Sequence, residues 1–501
     1  MIHSCSTASC SFTKRFLFGL ENYIFMIMNA LDLNKVKSTH FIGIGGIGMS
    51  AVAQLFLSQG KKVSGSDTGS SKVTELLESK GAKIYFDQKA ENFEKDVDLV
   101  IYTIAIDAEN PELQEARKRK IPMITYPESL GLISKDKFTI AVSGTHGKTT
   151  TTAMIAKVMI DAGLNPTVIA GSLMSEYGSN FVPGKSEFFL VEACEYKRSF
   201  LNINPNILVI TNIDNDHLDY YKDLADIQSA FGELARKLKP ADFLICNMSH
   251  TNLEPIIEDP KVECNIIDYP SLEAKLELMV PGKHNIENAK AALAVATVLE
   301  IKDKKAIKSL KNFSGTWRRL EALGKTKNGA LVYDDYGHHP TEIKASLLAI
   351  LEKFPKKKIV VIFQPHLYSR TKLLLKEFAQ SFEGMSEVII VPIYAAREVD
   401  DKSISAEILA GEIKKTGISA KAMENFQDII NYIIGLGDLD ADQGASEKRT
   451  EPYVQYGEGA SQRSNAEMRR IRKSHKNFDS DYIIVTMGAG DVYRIAEKLV
   501  K

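Results

Sequence analysis

Short apolar runs rich in β-branched residues recur along almost the whole chain, and longer stretches with helical spacing separate them. Examples are "HFIGI", "KKVSGSD", "DLVIYT", "FTIAVSG", "FFLVEA", "ILVITN", "ALVYDD", "KIVVIF", "EVIIVPI" and "YIIVTM". A continuous run of this kind is buried on both faces, and a strand reached through a helix returns parallel to its neighbour. The class this predicts is α/β with mostly parallel sheets. At roughly 100–200 residues per domain, a length of 501 residues suggests three domains. The pattern places an N-terminal extension at 1–36 and domains at 37–134, 135–319 and 320–501. One stretch, at about 437–480, is polar, mixed in charge and poor in aliphatics. It cannot bury much surface and reads as a disordered or loosely attached insertion.

The segment Phe16–Leu31 is apolar but interrupted by Glu21, Asn22 and Asn29, too short and too polar for a membrane span of about 20 apolar residues. Met26 and Met28 precede the first orderly strand, so residues 1 to about 27 are expected to be dispensable. The net charge of -1 and pI near 6.8 create no global field for nucleic acid or an acidic membrane. Five cysteines without pattern argue against a disulfide framework and for a reducing cytoplasm.

Two glycine-rich turns carry the first chemistry. "HFIGIGGIGMS" places Gly43, Gly45 and Gly48 in G-x-G-x-x-G between a strand and a helix, with Asp67 closing the next strand. Such glycines let a nucleotide's phosphates approach a helix N-terminus; the spacing alone fits NAD as well as other nucleotides. "FTIAVSGTHGKTTTTAMIA" sets Gly144, Thr145, His146, Gly147, Lys148, Thr149 and Thr150 between the strand Phe138 to Val142 and a helix ending near Gly163. In a phosphate loop the amides cradle phosphates, the lysine neutralises them and the first threonine ligates magnesium. This loop, G-x-x-G-K-T, is shorter than the usual G-x-x-x-x-G-K-[ST].

Two further strand ends point to the same place, since ligands bind beyond the carboxyl ends of parallel strands. Glu192 ends "FFLVE", and Asn212, Asp214, Asp216 and His217 follow "ILVIT". Glu192 suits a hard cation; His217 is better placed to orient a water or touch a phosphate. Later come Asn285 and Asn288, then Arg318 and Arg319. "VYDDYGHHPTEI" brings Asp334, Asp335, Tyr336 and His338, and "FQPHLYSRT" brings His366 and Arg370. Helix capping by Thr341 or Thr371 explains one residue in each of these last two motifs. The rest read as a binding cleft.

Taken together these strings, with "VEACEYKRSFLNINP", "TNIDNDHLD", "HNIENAKAALA", "WRRLE", "PIYAARE" and "TMGAGDVY", resemble the Mur ligase family, which builds the peptide stem of peptidoglycan. The resemblance covers nearly all of Lys37 to Lys501 outside the insertion. It implies a Rossmann-like N-terminal domain, a central P-loop ATPase and a Rossmann-like C-terminal domain. It also implies a cytoplasmic, ATP- and Mg2+-dependent carboxylate–amine ligase, here of the branch that joins L-alanine to UDP-N-acetylmuramate through an acyl phosphate. Carried over by motif, Gly43, Gly45, Gly46, Gly48, Met49, Ser50 and Asp67 would hold the UDP-sugar. Gly144 to Thr150, Asn285, Asn288, Arg319 and one of Asp334 or Asp335 would hold ATP. Lys148, Glu192 and His217 would be catalytic, with Thr149, Glu192 and His217 around magnesium, and Tyr336, His338, His366 and Arg370 on the amino-acid side.

Expected partners are UDP-N-acetylmuramate and L-alanine, with no nucleic acid, in a monomer or weak dimer that closes around its substrates. The chain departs from the family at Leu367, where many relatives carry Arg, and in "EACEY", which replaces "EADES". Alternatives are a ligase of recycled tripeptide, an NAD-dependent oxidoreductase and a non-catalytic UDP-sugar sensor.

Overall fold

The structure is a computed structural model that describes residues 31–396, 398–400, 402–435 and 481–500. The polar insertion and the N-terminal stretch expected to be dispensable both lie outside these residues. The chain forms two compact units. One comprises Met1–Glu277 with Glu287–Ser314, the other Leu278–Ile286 with Gly315–Lys501.

The first unit contains two sheets. Strands β1 (Ser38–Ile42), β2 (Lys62–Ser66), β3 (Lys83–Tyr85), β4 (Leu99–Tyr102) and β5 (Met123–Thr125) form a sheet of order β3-β2-β1-β4-β5. Its pairings are parallel, and the order reverses between β1 and β4, the switch point outside whose strand carboxyl ends ligands bind in such sheets. The second sheet uses β6 (Phe138–Ser143), β7 (Thr167–Met174), β8 (Ser179–Val182), β9 (Phe188–Glu192), β10 (Ile207–Ile210), β11 (Phe243–Cys246) and β12 (Asn265–Asp268). Its order is β12-β11-β10-β6-β9-β7-β8, with β8 antiparallel at one edge. Every residue of β1 and β10 is buried, as continuous apolar strands between helical layers require.

A buried polar clasp joins the layers of this unit. Gln54, on the helix Ile47–Ser58, donates to Asn180 Oδ1 at 2.8 Å and accepts from Ser179 Oγ at 2.9 Å. Asn180 Nδ2 reaches Ser50 Oγ at 3.0 Å and the Ile47 carbonyl.

The second unit contains β13 (Glu321–Lys325), β14 (Leu331–Asp335), β15 (Lys358–Phe363), β16 (Glu387–Ile390), β17 (Ser419–Ala422) and β18 (Tyr482–Met487). The order is β13-β14-β18-β15-β16-β17, with β13 antiparallel. Three sheets, each flanked by helices, give the α/β class expected from the alternating runs. Among the described residues no helix is long and apolar enough to cross a membrane.

Candidate functional site

The phosphate loop lies where β6 hands over to the helix Lys148–Ala162. The helix has its buried face on Met154, Ile155, Val158 and Met159 and ends on Gly163 at φ +88°, the left-handed stop that favours glycine. Its N-cap, Gly147, offers no side-chain cap, so the first-turn amides keep the polarity that attracts an anion. Gly147 itself is required: its φ is +83°, and an added Cβ would stand 2.6 Å from Asn288 Oδ1.

The residues after β10 shape the loop from the side. Asn212 accepts from Thr145 N through its carbonyl and from His146 N through Oδ1, both at 2.9 Å. Asp214 N donates to Thr145 Oγ1 at 2.9 Å, and His146 Nε2 lies 3.2 Å from Asp214 Oδ2. Asn212 and Asp214 thus fasten the loop, and the amides of Thr145 and His146 are already engaged. Asn288 contacts Thr151 Oγ1 at 3.1 Å.

The acidic groups converge on the helix start. Thr149 Oγ1 donates to Glu192 Oε1 at 3.0 Å, and Glu192 Oε2 accepts from Gly171 N at 2.7 Å. Lys148 Nζ donates to Gly144 O at 2.6 Å, to Thr145 O at 3.0 Å and to Glu195 Oε1 at 2.9 Å. Burial works to strip the Lys148 proton, but the Glu195 carboxylate, with Glu192 behind it, outweighs burial and raises the ammonium above the ordinary lysine range. His217 adopts the left-handed region at φ +53°, pinned by Tyr220 N and Tyr221 N, which both donate to its carbonyl. Its Nε2 lies 3.7 Å from Glu195 Oε1. The structure therefore groups Thr149 with Glu192, and His217 with Glu195. Sequence reasoning passed over Glu195, although it shows the signal that singled out Glu192, a carboxylate just past a buried strand.

At the first glycine turn Asp67 Oδ2 accepts from Gly45 N at 2.7 Å. Gly43 has φ +82° and sits where a Cβ would meet Thr103 Cγ2 at 2.7 Å, so the turn closes against the end of β4. Met49 and Ser50 are buried, and the Ser50 hydroxyl is engaged by Asn180. Tyr126, absent from the sequence expectations, lies so near Gly48 that a Cβ there would stand 2.4 Å from its ring. Gly46 is the N-cap of the helix Ile47–Ser58.

In the second unit the paired arginines divide their work. Arg318 is buried and donates to Asp334 Oδ2 at 2.7 Å, Gly490 O at 2.9 Å and Gly488 O at 2.5 Å. Asp334 also accepts from Thr486 Oγ1 at 2.6 Å, and burial raises its carboxyl to about 6 against the pull of Arg318. Asp335 accepts from the amides of Leu320 at 2.7 Å and Gly337 at 2.6 Å; burial raises its carboxyl too, with Arg319 opposing. Arg319 is more exposed, over the Tyr336 ring and 3.8 Å from Glu342. Asn285 Nδ2 bonds Pro281 O at 2.6 Å.

The rings of Tyr336, His338, His366 and Tyr394 form a chain with successive centroids 5.4, 5.5 and 5.8 Å apart, and Arg370 Nη1 lies 3.3 Å from His366 Nδ1. Tyr394 was not among the expected residues, although "PIYAARE" contains it. Neither Thr341 nor Thr371 caps a helix. His339 caps Pro340–Lys353 in a box with Glu342, and Thr371 Oγ1 turns back to Leu367 O at 2.7 Å. Leu367 is buried at φ +69°.

Family models match in three consecutive segments: "Mur ligase family, catalytic domain" over residues 38–138, "Mur ligase middle domain" over 142–270 and "Mur ligase, glutamate ligase domain" over 318–440. A UDP-N-acetylmuramate–L-alanine ligase of Clostridium kluyveri is 44% identical over 432 residues, covering 81% of this chain and 94% of that protein. The chain belongs to the Mur ligase family. A second such ligase, from Clostridium botulinum strain Langeland, is 39% identical over 495 residues, with 93% and 98% covered. Among solved structures, UDP-N-acetylmuramate-alanine ligase MurC from Thermotoga maritima aligns with a TM-score of 0.72 at 27% identity, covering 93% of this chain and 98% of that one. A murein peptide ligase from Psychrobacter arcticus shares the fold, with a TM-score of 0.64 at 21% identity over 92% and 98%. As a Mur ligase, the chain carries the loop Gly144 to Thr150 in the middle-domain segment and its first glycine turn in the segment before it.

Proposed function

We propose that this Mur ligase joins L-alanine to the carboxylate of UDP-N-acetylmuramate at the expense of ATP, in the cytoplasmic synthesis of peptidoglycan precursor. The observation that carries the reading is the clustering of Lys148, Thr149 and Glu192 at the start of one helix, in a chain 44% identical to a ligase with that name.

A carboxylate resists attack by an amine because its oxygen is a poor leaving group. Transfer of the γ-phosphoryl group to it gives an acyl phosphate, which the alanine amine attacks and phosphate leaves. The difficulty is charge, since a triphosphate and a carboxylate must meet. The Lys148 ammonium and the first-turn amides of Lys148–Ala162 oppose that repulsion, and fixed dipoles do so without reorganising. A hydroxyl and a carboxylate oxygen 3.0 Å apart at Thr149 and Glu192 form an oxygen-rich set that fits a hard divalent cation. Magnesium, when bound, would neutralise phosphate charge there, held by Thr149 and Glu192 with His217 close by. Asn288 supports the loop beside the nucleotide, and Asn285 and Arg319 serve the adenosine or its phosphates. One of Asp334 or Asp335 joins this set; in the structure Asp334 pairs with Arg318 and Asp335 accepts from two backbone amides.

The turn at Gly43, Gly45, Gly46 and Gly48, with Met49, Ser50 and Asp67, holds the UDP-sugar. The helix Ile47–Ser58 starts from Gly46 with no side-chain cap, so its first-turn amides carry the polarity that suits a diphosphate. Tyr336, His338, His366 and Arg370 receive the amino acid, with Arg370 as the cation for its carboxylate. One assay tests the reading: phosphate release from ATP with UDP-N-acetylmuramate and L-Ala, Gly, L-Ser or tripeptide in turn. Release with L-alanine supports it, and release only with tripeptide replaces it by the recycling ligase.

A further inference from the structure

Glu195 lies within the string "VEACEY" but received no role there. Its side chain is 3% exposed. One oxygen, Oε1, is 2.9 Å from Lys148 Nζ and 3.7 Å from His217 Nε2. The other, Oε2, is buried without a hydrogen-bond partner. A buried carboxylate oxygen left unsatisfied is costly, so the position is held by something other than its own stability. The main chain is fixed as well: Tyr221, buried, donates its hydroxyl to the Glu195 carbonyl at 2.5 Å.

The Lys148 ammonium has three protons, and three acceptors take them: Gly144 O, Thr145 O and Glu195 Oε1. Two are carbonyls of the loop itself. For the ammonium to reach a phosphate, contacts to these neutral carbonyls are the ones to give up, because Glu195 alone of the three adds the attraction of an opposite full charge.

We infer that Glu195 is a positioning residue for phosphoryl transfer: it anchors one N–H of Lys148 and so aims the other two at the phosphates. The inference rests on the reading that this loop holds ATP. Glu195 has a second, opposite consequence. Its negative charge lies beside a site that takes a triphosphate, so it weakens ground-state nucleotide binding while it orders the lysine for transfer. Interactions realised in the transition state raise kcat rather than affinity.

Glu195→Gln keeps the size and one acceptor oxygen but removes the charge. The expected result is a kcat about tenfold lower, with an ATP dissociation constant equal to or below that of the parent. A merely structural lesion would lower kcat too, but it would loosen ATP as the loop relaxes. Tyr221→Phe loosens Glu195 without touching its charge and should lower kcat two- to threefold, again without weakening ATP. ATP affinity is measured by titration calorimetry, turnover by phosphate release, and folding by thermal melts of each variant. A Glu195→Gln enzyme with kcat within twofold of the parent, or with ATP bound tenfold more weakly, overturns the inference. Failure of the unmodified chain to bind ATP would instead remove the nucleotide reading on which it stands.

Discussion

The Thr149 hydroxyl lies 3.0 Å from Glu192 Oε1, so the first turn of the P-loop helix and the tip of β9 share one point in space. The carboxylate is also held by the Gly171 amide at 2.7 Å, which fixes its orientation before any ligand arrives. On our reading, Glu192→Gln raises the magnesium concentration needed for half-maximal phosphate release by about tenfold, because one charged oxygen ligand is lost. A magnesium titration of both enzymes checks this; an unchanged midpoint would separate Glu192 from the metal.

Lys148→Ala should lower ligase turnover by about 100-fold or more, the scale seen when a single preorganised electrostatic group is removed. Phosphate release measures it. Near-full turnover in this variant would remove the loop from the chemistry.

Gly43→Ala meets both a positive φ and Thr103 Cγ2 at 2.7 Å. The expected outcome is a large loss of UDP-N-acetylmuramate affinity with ATP affinity retained, read by calorimetry on each ligand separately. Binding of NADH by the parent chain would revive the dinucleotide alternative for this turn.

Arg318 and Arg319 should part company. Arg318→Met leaves Asp334 buried without its cation, and breaking a buried pair costs about 3–5 kcal/mol; denaturant unfolding should show a loss of that size. Arg319→Lys should leave unfolding within about 0.5 kcal/mol of the parent and raise the KM for ATP.

His284 gives a pH prediction. Burial lowers its pKa, Arg319 lowers it further, and Glu342 opposes both. The unfolded chain then binds a proton that the folded chain refuses, so this group's contribution to stability falls as pH drops below the ordinary histidine value near 6.5. The effect is at most about 1.4 kcal/mol per pH unit for one proton. Melting curves from pH 7.5 to 5.5 should fall more steeply for the parent than for His284→Gln. Equal slopes would show that His284 is not the group responsible.

The sequence by itself determined the α/β class, because short β-branched runs that alternate with helical stretches fit buried parallel strands. It also determined both glycine turns and the helix from Lys148 to its stop at Gly163, because these depend on local backbone chemistry and on residues close in the chain. Glu192 was legible for the same reason, as the last residue of an apolar strand. Tertiary structure decided what depends on which strand lies beside which. It made Asn212 and Asp214 fasteners of the loop, because β10 pairs with β6. It turned Arg318 and Asp334 inward as a pair, because β14 lies against β18 and Thr486 completes the set. It set Tyr394 beside His366, because the chain leaving β16 bridges back to that residue. Glu195 was visible in the sequence but its task was not, since a carboxylate's meaning depends on the cation that folding places next to it. Folding placed Lys148 there.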